Sequence, residues 1–206
     1  MITMAHNTIG GAAGAARRSP LRPPTPLQRA QYAAILERMP AHQWRLLTDY
    51  LACSGERLAE AFAHADTDID PGSGACEVAR YWRWLGDRWV LVDSPAPRQI
   101  WLPEGLVARL ELAGTGEELF RIDGASGPGL LRRYVRRVWT PAVAAVSEEM
   151  LGGARPGVEV LRVTCAQWMA EAGVPWPLSA AHLGFRRTSG FLRAQTQVLA
   201  TAAGEQ

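Results

Sequence analysis

Apolar positions recur at helical spacing through the first third of the chain. Leu27, Tyr32, Ile35, Leu36 and Met39 form one stripe, preceded by Thr25-Pro26-Leu27-Gln28, which has the cap residue, first-turn proline and closing glutamine of a helix start. Pro40 opens a second helix with Trp44, Leu47, Tyr50 and Leu51 on one face. Ser54 caps a third that carries Leu58, Ala61 and Phe62. Asp66 to Gly74 is polar and turn-rich, hence a loop.

Val78, Tyr81, Trp82 and Leu85 fall at i, i+3, i+4 and i+7, so Glu77–Leu85 reads as a helix with Gly86 as its stop. Two β-rich runs follow, Arg88–Asp93 and Arg98–Leu102, joined through Ser94-Pro95-Ala96-Pro97 as a hairpin. Beyond it the pattern predicts a helix over 103–112 and a short strand over 118–123. A long helix over 129–151 should be kinked or split by Pro141, and a strand should cover 158–163. Thr164-Cys165-Ala166-Gln167 has the form of a capping box opening a helix to Ala172, and a last helix spans about 188–202.

This order predicts an α+β, predominantly α-helical fold. A disordered basic tail (1–24) precedes a winged-helix-like N-terminal unit that ends in a β-hairpin (25–105). A helical C-terminal half (106–206) follows, within the same domain or beside it. In a winged helix-turn-helix, Glu77–Leu85 would be the recognition helix, presenting Arg80 and Arg83 to a major groove. The hairpin would be the wing, with Arg88 and Arg98 near phosphates. The loop over 66–75 is long for such a turn and carries three acids that repel DNA.

Composition narrows the chemistry. All 22 basic residues are Arg and none is Lys. This removes lysine-dependent phosphate loops and Schiff-base chemistry. Formal net charge is +2, but residues 1–24 hold Arg17, Arg18 and Arg22 and no acid, so the remaining body is near neutral. DNA binding must then rest on local arginine clusters. The clearest is Arg132, Arg133, Arg136 and Arg137, which share one helix face opposite Leu131, Tyr134, Val135, Val138 and Trp139. Four like charges at this spacing destabilise a helix unless phosphates, an acidic partner or internal carboxylates offset them.

Other constellations are weaker. Asp66, Asp68, Asp70 and Glu77 sit at calcium-loop spacing, but Pro71 stands where glycine is needed for the turn. The four histidines show no metal-ligand spacing, and His64 reads as a surface residue. Cys165, placed at a helix start, would have a lowered pKa. Most of the eight tryptophans, with Tyr81, Trp82 and Trp84 among them, should pack the core.

The sequence thus points to a cytoplasmic, DNA-binding protein, a transcriptional regulator or mobile-element accessory factor. Its contacts would come from Arg80, Arg83, Arg88, Arg98, Arg132, Arg133, Arg136 and Arg137. The alternative is an adaptor that docks an acidic protein through the same Arg face, and an enzyme of unidentified class is the third reading. No catalytic residue, metal, cofactor or membrane segment is expected.

Overall fold

The computed structural model describes residues 24–185. Arg186, Arg187, Arg193 and the helix expected over 188–202 lie outside the described residues, as does most of the basic tail.

Eight α-helices surround one two-stranded antiparallel sheet among the described residues. Helix α1 (Arg29–Glu37) starts where the Gln28 N–H donates to the Gln31 side chain at 3.0 Å. Helix α2 (His42–Ser54) ends on Gly55, whose left-handed conformation lets its N–H reach the Leu51 carbonyl. Ser54 therefore closes α2, and Arg57 takes the cap position of the short α3 (Leu58–Ala61).

The segment expected as a recognition helix is a strand. β1 (Ala75–Leu85) pairs antiparallel with β2 (Arg88–Trp101), which is one continuous element rather than a hairpin of its own. The turn is Gly86-Asp87, with Gly86 at φ +64°, as two-residue hairpin loops favour at their first position. The winged-helix arrangement is thereby lost. The helical spacing of Val78, Tyr81, Trp82 and Leu85 was coincidental. Aromatic and β-branched side chains on both sides of a tight turn zip into a ladder instead. Pro95 and Pro97 do not break it, because they fall in a bulge. Val78 pairs with Arg98 and Arg80 with Asp93, so Ser94–Pro97 loop out opposite Ala79 alone. Trp82 packs inward and donates its Nε1–H to the Phe62 carbonyl at 2.8 Å, whereas Trp84 stands exposed at the hairpin end.

Helix α4 (Glu104–Leu110) matches expectation. Residues 118–123 form no strand, only isolated bridges. From Gly127 the chain is helical to Ala144: α5 (Gly127–Arg133), a π-turn (Tyr134–Trp139) and α6 (Thr140–Ala144). Pro141 has no N–H to donate, and the turn before it widens, with the Thr140 hydroxyl donating to the Val135 carbonyl at 2.8 Å. Helix α7 (Val160–Glu171) takes up most of the expected strand over 158–163 and the expected cap at Thr164. Thr164 sits mid-helix, donates to the Val160 carbonyl and accepts from the Leu27 N–H at 2.9 Å, which ties α7 to the α1 entry. Helix α8 (Trp176–His182) closes the described part.

One core cluster runs from Leu27 to Leu161, centred on Ile35, Leu47, Tyr50, Leu130, Tyr134 and Trp139. No described helix is long and apolar enough to cross a membrane.

Candidate anion and nucleic-acid site

Three arginines from three separate parts of the chain gather around Glu60, two of them bonded to its carboxylate and the third, Arg162, bonded to nearby carbonyls. Arg57 heads α3, Arg98 lies at the end of the β2 bulge, and Arg162 is in the first turn of α7. Glu60, one turn along α3, accepts from both guanidine ends of Arg98 at 2.8 and 3.2 Å. It also accepts from Arg57 at 2.8 Å and from the Arg57 N–H at 3.0 Å. Arg98 Nε–H donates to the His182 carbonyl at 2.9 Å. Arg162 donates to the Gly55 carbonyl at 2.5 Å and to the Leu183 carbonyl, with its guanidinium 5.0 Å from the Phe185 ring centre. The two inner arginines thus pin the carbonyl end of α8 to the α2–α3 turn.

The electrostatics follow from three cations around one anion. Burial alone would raise the Glu60 carboxyl, but hydrogen bonds and charge from Arg98, with the Arg57 donors, hold it down at about 2. Burial pushes the Arg162 guanidinium down to about 10, and the like charges of Arg57 and Arg98 act in the same direction. The Arg57 side chain is 57 % exposed, against 11 % for Arg98. It stands at the mouth of a cleft of about 610 Å³ lined by Glu60, Tyr81, the Ser94–Pro97 bulge, Gly184 and Phe185. This arrangement suits an anion: an exposed guanidinium backed by unneutralised positive charge.

The residues expected to bind DNA are dispersed. Arg80 is held by Asp68 at 2.6 Å, and Arg98 is committed to Glu60. Arg83 and Arg88 are exposed on the outer half of the hairpin. Arg132, Arg136 and Arg137 are exposed, and none pairs with a carboxylate among the described residues, while Tyr134, Val138 and Trp139 are buried behind them. Arg133 leans away toward the Ile122 and Asp123 carbonyls, with the Asp123 carboxylate at 3.5 Å.

Arg57 and Arg162 were missed because neither belongs to a local run of charge. The acids of the supposed calcium loop do not converge. Asp66 accepts from Thr115 and Gly116, Asp70 from Gly72 and Ser73, and Asp68 from Ala65 and Arg80. His64 is buried rather than on the surface. Its ring nitrogens face Glu56 at 2.9 Å and Asp68 at 3.3 Å, with Cys76 Sγ 3.9 Å away. Glu56, His64 and Cys76 are the described side chains grouped closely enough to hold a metal ion. Burial pushes the Cys165 thiol up to about 12, opposite to the lowering expected of a helix-start cysteine.

No known protein-family model matches the sequence, and no curated protein does. Solved structures do. The Tn1549 transposon integrase, as an arginine-to-lysine variant in complex with a circular-intermediate DNA, superposes with a TM-score of 0.66 at 17 % identity. That match covers 84 % of this chain and 62 % of the integrase chain. XerA recombinase gives 0.62 at 16 % identity over 91 % of this chain and 66 % of the other. A lambda integrase dimer bound to a core site gives 0.58 at 16 % identity over 89 % and 51 %. The α+β fold is shared with these integrase and recombinase structures and is not specifically that of a winged helix. The chain spans about 62 % of the length of the transposon integrase chain.

Proposed function

We propose that this chain is a DNA-binding protein of mobile-element type, built on the recombinase catalytic fold, which seats a backbone phosphate on Arg57. The observation that carries this is the cleft: an exposed guanidinium at its mouth with Arg98 and Arg162 behind it and one carboxylate between them. A phosphodiester matches the fork geometry and the single negative charge such a site takes. The DNA-bound recombinases with this fold support the same reading. Arg132, Arg136 and Arg137 would add sequence-independent phosphate contacts, and Arg83 and Arg88 would extend them along the hairpin. Arg80 and Arg98 contribute charge while they brace Asp68 and Glu60.

The test is fluorescence polarisation of a labelled random-sequence duplex at about 50 and about 200 mM salt. Affinity should fall steeply between the two. Arg57→Ala should weaken binding about tenfold and lower the salt slope by about one unit. Combined Arg132→Ala, Arg136→Ala and Arg137→Ala should lower the slope by about three. A folded chain that binds no duplex at the lower salt overturns the proposal and turns the search to an acidic protein docking on the same arginines.

A further inference from the structure

We propose that Glu56, His64 and Cys76 form a closed structural site for a thiophilic divalent cation, with zinc the ion that fits. The site is separate from the anion cleft. Glu56 lies in the α2–α3 turn, His64 just after α3, and Cys76 second in β1, so the ion would clamp the helical layer to the base of the hairpin.

All three groups are out of solvent. The side chains of Glu56 and His64 are 0 % and 2 % exposed, and Cys76 is fully buried. Their ligand atoms lie within 4.8 Å of one another. His64 Nε2 is 2.9 Å from Glu56 Oε2, and Cys76 Sγ is 4.0 Å from that nitrogen. Zinc bonds of about 2.0–2.3 Å put tetrahedral ligands roughly 3.3–3.8 Å apart. The imidazole–carboxylate pair lies below that range and the thiol–imidazole pair above it, with every pair within 4.8 Å, so side-chain movements of about 1 Å close the shell. A fourth oxygen is at hand. The Tyr50 hydroxyl donates to Glu56 Oε1 at 3.1 Å and lies 3.8 Å from Cys76 Sγ.

The donor set is one thiolate, one imidazole and carboxylate or phenol oxygen. That mixture suits zinc and not a hard cation, which takes oxygen alone. A ligating imidazole nitrogen and thiolate sulfur carry no proton, so uptake of the ion is accompanied by proton release to solvent. An outer layer supports the imidazole: Asp68 meets His64 Nδ1 at 3.3 Å and is itself held by Arg80 at 2.6 Å and the Ala65 N–H at 2.9 Å.

The test uses the full chain, stripped with a chelator and then given zinc alone or cobalt(II) alone. One metal ion per chain should remain after gel filtration, measured by elemental analysis. Saturating zinc, about 100-fold above Kd, should raise Tm by about 5–10 °C. The cobalt form should show a thiolate-to-cobalt charge-transfer band in the near ultraviolet. Cys76→Ser should abolish that band, and His64→Gln should remove stoichiometric binding. Cys165→Ser and Cys53→Ser should change neither. Folded wild-type chain with no stoichiometric metal and no thiolate band overturns the proposal, and so does a band that survives Cys76→Ser. The wild-type spectrum decides the matter even where a variant fails to fold. Duplex affinity is measured separately, so failure here leaves the phosphate site standing.

Discussion

The Glu60 carboxylate accepts from two guanidiniums and a backbone N–H while its side chain is only 8 % exposed. An ionised group in that position stabilises the fold only while it stays ionised. Its carboxyl is depressed from the usual 4.5 to about 2. The unfolded chain therefore binds the proton more readily than the folded one, and stability falls as pH falls. The contribution is complete above about pH 4.5 and is lost on the way down to about pH 2. It amounts to about 3 kcal/mol at neutral pH. Glu60→Gln should lower stability by about that much at pH 7 and by little near pH 2. Denaturant unfolding across that range checks it. An equal loss at both pH values would show that Glu60 acts by shape rather than by charge.

At the scale of elements, Gly55 is where several of them meet. It ends α2 at φ +59°, and a Cβ there would meet Cys165 Sγ at 2.9 Å and the Leu183 side chain. Its carbonyl accepts from Arg162. Gly55→Ala should therefore cost at least about 2 kcal/mol, lower Tm by about 4–8 °C, and weaken duplex binding with it. Gly86→Ala is the control, because Gly86 is also left-handed but has nothing within 4 Å of its Cβ position. It should cost about 1 kcal/mol. Equal melting shifts for the two would remove the close packing at Gly55 from the account.

The same contrast explains what could be read from the chain alone. Helices α1 and α2 were legible because their stripes are long and their breaks carry Pro40 and Gly55. The exposed arginines of 132–137 were legible because charge and apolar residues separate cleanly on two helix faces. The hairpin was misplaced by one element because Val78, Tyr81, Trp82 and Leu85 fit two periodicities at once. Only pairing with the residues of β2 chooses between them. The cleft could not be read at all. Arg57, Arg98 and Arg162 are brought together by tertiary contacts, and the signal nearest to them was the apolar stripe that placed α2. The Glu56–His64–Cys76 group was hidden for the same reason, since its spacing matches no local metal motif.

At the scale of the whole molecule, the fold is shared with solved integrases and recombinases, and the groups lining the cleft set the test that separates holding DNA from cutting it. Cleaving a phosphodiester needs a nucleophile that gives up its proton and an acid that protonates the leaving oxygen. Tyr32, Tyr50 and Tyr134 are buried in the core, which leaves Tyr81 as the tyrosine that lines the cleft. Glu60 is too weak a base at about 2 and is occupied by two arginines. Neither buried histidine serves instead. His64 is engaged by two carboxylates, and His182 Nε2 meets the Ser54 carbonyl at 3.0 Å. The sequence has no lysine to act as a general acid. This chain should shift a duplex in a gel while leaving supercoiled plasmid un-nicked. It should form no covalent adduct that survives detergent, over times in which an active strand-cutting recombinase run alongside does both. A detergent-stable adduct would refute this, and its loss in Tyr81→Phe would name the hydroxyl responsible.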